Sequence, residues 1–137
     1  MKLMSYSSAA YLNPQAVYKQ NAVETAPPAK LLIMLYSGAV KFLLQGQKDL
    51  AEKKYEAAHN NLVKAQEIIL ELDNTLNMEQ GGEIAVNLRQ LYNFYYQQTV
   101  QANIKKDPDL LEPVIGFFRS FRDVWAEAAR ICQAEVK

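Results

Sequence analysis

Few residues in this 137-residue chain are of types that carry chemistry, and their spacing gives them little to work with. The single histidine, His59, sits beside Asn60 and Asn61. A di-iron or di-manganese site in a helical bundle needs a Glu-x-x-His motif on each of two helices plus further inward glutamates, so one histidine falls short. His59 therefore reads as a solvated residue on a helix flank. The single cysteine, Cys132, has no histidine near it in sequence, so it offers neither a zinc cluster nor a nucleophile with its base. It reads as a small residue of the buried type near a helix end. Gly81 and Gly82 lack the further glycine and the Lys-Ser/Thr of a phosphate loop and read as a helix-breaking turn. The acidic residues lie mostly off the apolar positions, as a solvated face does. No catalytic site, cofactor or metal is expected.

Composition narrows the partners. Fifteen basic residues balance fifteen acidic ones, whereas a nucleic-acid binder relies on a basic face to release condensed counterions. Nucleic acid is not expected as a partner. One cysteine makes no internal disulfide, and the stretch after Lys2 is a mixture rich in Ser, Tyr, Asn and Gln rather than the apolar stretch of a signal peptide. The longest unbroken apolar run, Leu31 to Tyr36, is far shorter than a bilayer span. These features predict a cytoplasmic protein with no membrane segment. Apolar residues at 50% and charged residues at 22% lie far from the composition of a disordered chain, so a packed core is expected.

Four segments repeat apolar residues at steps of three and four, as amphipathic helices do. The first runs from about Pro28 to Lys54 with Leu31, Leu35, Ala39, Phe42, Gly46 and Leu50 in line. Thr25 is a plausible cap for it, and Gly46 would let a neighbour come close. The second, Tyr55 to Met78, carries Ala58, Leu62, Ala65, Ile69, Leu72 and Leu76, and the glycine pair ends it. The third, Glu83 to Lys105, carries Ile84, Leu88, Leu91, Tyr95 and Ala102, and stops at Lys105, Lys106, Asp107 and Pro108. The fourth, Asp109 to Ala134, carries Leu110, Val114, Phe117, Phe121, Val124, Ala128 and Ile131. Its regular part is expected to begin at Pro113. Trp125 shares a stripe with Phe118 and Phe121 and is assigned to the core.

Short connections between helices of similar length predict an all-α fold, an antiparallel up-down-up-down four-helix bundle over residues 28–137. Residues 1–27 read as an N-terminal arm with a short helix from Pro14 to Val23.

These helices carry more apolar residues than one stripe each can use. Leu31 to Tyr36 are six in a row and cover every side of a helix. Ile68, Ile69, Leu70 and Leu72 spread around the second helix, and Tyr92, Phe94, Tyr95 and Tyr96 crowd the third. Leu32, Ile33, Tyr36, Leu70 and Tyr92 lie beside the regular seams, and with Phe94 and Tyr96 they form the candidate partner-binding set. The excess has two explanations. The arm, through Tyr11, Leu12, Val17, Tyr18 and Val23, covers it, or it forms a groove for a partner. Both hold if the arm occupies the groove until a partner displaces it, which adds Tyr11, Val17, Tyr18 and Val23 to the candidate set. Tyrosine suits such a surface because it combines large contact area with a polar tip.

Residues Asn21 to Ala26, Pro28, Leu31 to Tyr36, Gly38, Ala39, Lys41 and Phe42 closely resemble the opening of the FliS family of flagellar export chaperones. Three later stretches agree: Lys64, Ala65, Gln66, Ile68, Ile69, Glu71 and Leu72 with Thr75 and Leu76; Leu91 and Tyr92 followed by Ala102 and Asn103; and Phe121, Arg122 and Trp125. The resemblance spans about residues 11 to 130. Ser37 stands where family members often have Asp or Asn, and Pro27 precedes the usual proline; neither touches the apolar pattern.

The resemblance implies a four-helix bundle that takes up the disordered C-terminal segment of flagellin, prevents its premature polymerisation in the cytoplasm and presents it for export. It also implies a family arm that occupies part of the binding surface when flagellin is absent, and it allows a second partner such as a flagellar regulator or an export-gate component. A bundle that only associates with itself through the same patch is the competing expectation, distinguished by the oligomeric state.

Overall fold

Pro28 occupies the first position of α1, Pro28–Ala51, where a missing N–H costs no hydrogen bond. The computed structural model describes residues 28–136, so the arm, its short helix and the Thr25 cap lie outside the described residues. α1 stops three residues short of the expected Lys54. Its last turn closes as a Schellman motif, with Lys53 at φ 61°, the Lys54 N–H donating to the Asp49 carbonyl at 2.8 Å and that of Lys53 to Leu50 at 3.1 Å.

α2, Tyr55–Asn74, ends earlier than its periodicity suggests. The hydroxyl of Thr75 donates to the Leu72 carbonyl at 2.7 Å, and Asn77 then caps the next helix by accepting from the Gln80 N–H at 2.9 Å. The glycine pair therefore does not end α2; it lies inside α3, Met78–Lys105. Gly82, at φ 52° and ψ −130°, breaks α3 after one turn in a conformation reserved for glycine. α3 ends on Lys106, also left-handed at φ 54°. A 3-10 turn over Pro108–Leu111, capped by the Asp107 side chain, leads into α4, Glu112–Val136. Pro113 is tolerated because it falls in the first turn of α4.

The helices run antiparallel in sequence order. Gly46 lies against Leu62 and Gly38 against Ile68, which fixes α1 on α2. Arg89 with Asp73 at 3.1 Å and Asn103 with His59 at 2.9 Å fix α3 on α2. Tyr36 against Phe118 and Gln47 donating to Glu112 at 3.1 Å fix α4 on α1. Among the described residues no strand occurs, and the all-α bundle read from the sequence is the fold.

The core lines up differently on each helix. On α2 every expected seam residue from Ala58 to Leu72 is buried, and Leu76 packs against the core. α1 has α2 on one side and α4 on the other, so its buried face is broader than one stripe and takes in Tyr36, Val40 and Leu43. α1 is also long and apolar enough, on composition, to cross a membrane; its apolar side chains are divided between two neighbours in the bundle. On α3 the buried residues are Ala85, Tyr92, Thr99 and Ala102; of the expected line Ala102 is among them, while Ile84 faces out and Ala85 beside it faces in. On α4, Leu111, Val114, Ile115 and Phe118 are buried, with Trp125 half-buried against them.

Candidate functional site

α3 and α4 meet chiefly through rings. Tyr95 stacks on Phe117 at 4.6 Å between centroids, Phe117 lies 4.6 Å from Phe121, and Tyr92 lies parallel to Phe118 at 6.3 Å. Rings of this size hold the two backbones apart.

At about 100° per residue, Ile84, Leu88, Leu91 and Tyr95 share one line along α3. Phe117, Phe121, Val124, Ala128 and Ile131 share the same spacing along α4. Tyr95 and Phe117 join the two lines at one end. Because α4 runs back along α3, the other ends also face each other's side of the bundle, and there the apolar residues are bare. Ile84 is 72% exposed and Val124 63%, with Leu91 and Ile131 exposed as well. All four were expected in the core. Their regular spacing reports an apolar line correctly, but no described helix covers these four, although Leu88, Tyr95, Phe117 and Phe121 of the same lines pack against the core. Phe94, one position before Tyr95, adds a side chain 58% exposed at the edge of this strip.

The candidate residues read from the sequence divide into three groups. Leu70, 46% exposed on α2, and Phe94 are available at the surface. Leu32 and Tyr96 are half-buried and pack against the core, and Ile33 is half-buried. Tyr36 and Tyr92 correct the expectation that they lie beside the seams: they are 1% and 2% exposed. Their phenol rings pack among Phe117, Phe118 and Phe121, and each hydroxyl finds its partner in the other at 2.5 Å. Burial pushes both phenols above their ordinary range; the Tyr92 hydroxyl and the Trp125 indole partly offset this for Tyr36, and the neighbouring Tyr36 adds to it for Tyr92. The remaining candidates, Tyr11, Val17, Tyr18 and Val23, lie outside the described residues.

His59 stands apart from this strip, whereas Cys132 follows Ile131 at its end. His59 is exposed, its Nδ1 2.9 Å from the Asn103 amide. Cys132 is exposed rather than buried, because the end of α4 has no described neighbour to cover that side. Among the described residues no three His, Cys, Asp or Glu side chains cluster as a metal site would require.

What the geometry offers is thus an all-helical surface with two apolar lines, suited to receiving another polypeptide. The sequence profile of the family described as "Flagellar protein FliS" matches residues 11–132. This chain belongs to the FliS family. A flagellar secretion chaperone FliS of Bacillus subtilis is 40% identical over 116 residues, covering 85% of this chain and 86% of the relative. Its counterpart in Vibrio cholerae is 39% identical over 112 residues, 79% of this chain and 82% of the relative. That of Salmonella typhimurium is 34% identical over 109 residues, 79% and 81%. FliS relatives are thus named as chaperones of flagellar secretion. The matched span takes in the first three helices and nearly all of α4, so the apolar strip between α3 and α4 lies within the FliS-like part of the chain.

Proposed function

We propose that this chain is a cytoplasmic export chaperone that binds the disordered C-terminal segment of flagellin, keeps the subunit from polymerising early and presents it for flagellar type III export. The observation that carries this reading is the pair of apolar lines on α3 and α4, bare beyond Phe121, in a family whose members are named secretion chaperones.

An exposed apolar strip of this kind is costly to leave in water and marks a surface built for a partner. A disordered segment meets it by folding as it binds. Apolar anchors spaced three and four apart on a helical stretch of the client enter between the α3 and α4 lines, and part of the interaction energy offsets the ordering of the client. Leu70 sits on the line of α2 that also holds His59 and Asp73, the residues tied to α3. A client that reaches both Leu70 and Leu91 crosses over α3 and so wraps the bundle. Ile33, Leu32 and Tyr96, half-buried, serve as the floor of such contacts rather than as projecting anchors. The role is one of binding, with no bond made or broken.

Hydrogen exchange with and without the flagellin C-terminal segment tests this. Amides of residues 84–95 and 121–131 should gain protection. If they exchange alike in both states, the client binds elsewhere or not at all.

A further inference from the structure

The outward face of α1 is basic and bears no exposed acid. Lys30, Lys41 and Lys48 are exposed along it, with Met34, Leu44 and Gln45 among them. The one carboxylate of this helix, Asp49, is buried and already accepts hydrogen bonds from Gln45 at 3.0 Å and Asn61 at 2.8 Å. Beside this face stands Lys64 of α2. The ammonium groups of Lys41 and Lys64 each lie 5.4 Å from the centroid of the same ring, that of Phe42. The ring attracts each cation, while two like charges held around one ring repel each other. Among the described residues neither lysine forms an ion pair. An anion placed near both would relieve the repulsion and gain from each.

We propose that this face, centred on Lys41, Lys64 and Phe42, is a docking surface for an acidic amphipathic helix of a second protein, separate from the surface on α3 and α4. Lys41 and Lys48 are two turns apart, about 10 Å along the axis, a spacing that carboxylates two turns apart on a partner helix match. Leu44 lies between them and meets an apolar residue of that helix. A uniform polyanion fits less well. Glu67, three residues from Lys64 on α2 and exposed, repels a phosphate-studded surface, while a peptide of patterned charge avoids it. An anionic membrane also needs a broad apolar face to insert; here Met34 and Leu44 are the exposed large apolar residues of α1.

The test is a fluorescence anisotropy titration of the full chain with a labelled synthetic helix carrying Glu two turns apart and Leu between. A twin peptide has every Glu replaced by Gln. The acidic peptide should bind, more weakly as salt is raised, and the twin should bind at least about tenfold less tightly. Lys41→Glu with Lys64→Glu should weaken the acidic peptide by a similar factor, while Lys105→Glu on α3 leaves it unchanged. Should the reversals disturb thermal melting, Lys41→Gln with Lys64→Gln should show the same loss. Equal binding of the two peptides, or indifference to changes at Lys41 and Lys64, overturns the proposal. So does binding to phosphatidylglycerol vesicles that the acidic peptide does not compete away, which would make the face a lipid-binding one.

Discussion

The hydroxyls of Tyr36 on α1 and Tyr92 on α3 meet at 2.5 Å inside the core and tie together two helices that stand diagonally across the bundle. Phe118 of α4 packs against both rings, at 5.9 Å and 6.3 Å between centroids. Each hydroxyl is buried and bonds to the other, with the Trp125 indole also beside that of Tyr36. Tyr92→Phe should therefore destabilise the fold by about 1–3 kcal/mol, since it leaves the Tyr36 hydroxyl short of a partner. The double change Tyr36→Phe, Tyr92→Phe should cost less than the sum of the single ones. Denaturant unfolding of the four proteins measures this; strict additivity would show that the hydroxyls do not act as a pair.

The same pair sets the behaviour in alkali. Burial holds both phenols above the ordinary tyrosine range in the folded chain, so each keeps its proton in the folded state at a pH where the unfolded chain has lost it. The stabilisation is fully present below pH 10 and is lost as pH rises toward the folded values. For these groups, stability should be level through neutral pH and fall above about pH 10. Phenolate absorption of Tyr36 and Tyr92 should emerge together with unfolding. Ionisation of all the tyrosines at the ordinary value, with the helices intact, would contradict this.

Gly46 governs the approach of α1 to α2. A Cβ built there falls 2.5 Å from Leu62 Cδ2 and 2.8 Å from its Cγ, and Leu62 is fully buried. Gly46→Ala should cost about 1–3 kcal/mol through overpacking, against the gain in helix propensity that alanine brings elsewhere. Thermal melting decides between them. A melting point unchanged or raised would mean that the two helices separate easily at this point.

How much of this was legible in the sequence differs from helix to helix for physical reasons. On α2 the contacts to α3 include polar ones, Asp73 with Arg89 and His59 with Asn103, and its apolar period coincides with its buried face, so its seam is read directly. α1 serves two neighbours, which widens its buried face beyond one stripe and draws Tyr36 inward. On α3 and α4 the most regular apolar lines pack against the core at Leu88, Tyr95, Phe117 and Phe121 and are bare at Ile84, Leu91, Val124 and Ile131. Periodicity reports that such a line exists but does not say which element covers it. Tyr92 is hard to place for a related reason: it lies beside the line through Leu88 and Leu91, and its partner is 56 positions away on α1, beyond any local pattern. The glycine pair was read correctly as a breaker of helix, but the break falls inside α3 because Asn77 already supplies a cap upstream.

Exposed and buried aromatic residues should separate binding from folding. Phe94→Ala should barely shift the melting point, since that ring is largely in water, yet weaken the flagellin C-terminal segment by about 1–2 kcal/mol. Phe118→Ala, at a fully buried site, should cost about 3–5 kcal/mol of stability. The reverse pattern in melting and binding would move the client surface away from α3.

Calorimetric titration of the full chain with the flagellin C-terminal segment, repeated at several temperatures, tests the proposed function most directly. Binding should be saturable and one to one, with a negative heat-capacity change from the apolar surface buried, and Phe94→Ala with Val124→Ala should weaken it. Absence of binding heat at every temperature, together with a chain that sediments as a dimer through the α3 and α4 strip, would contradict a client-binding role and leave self-association as the use of that surface.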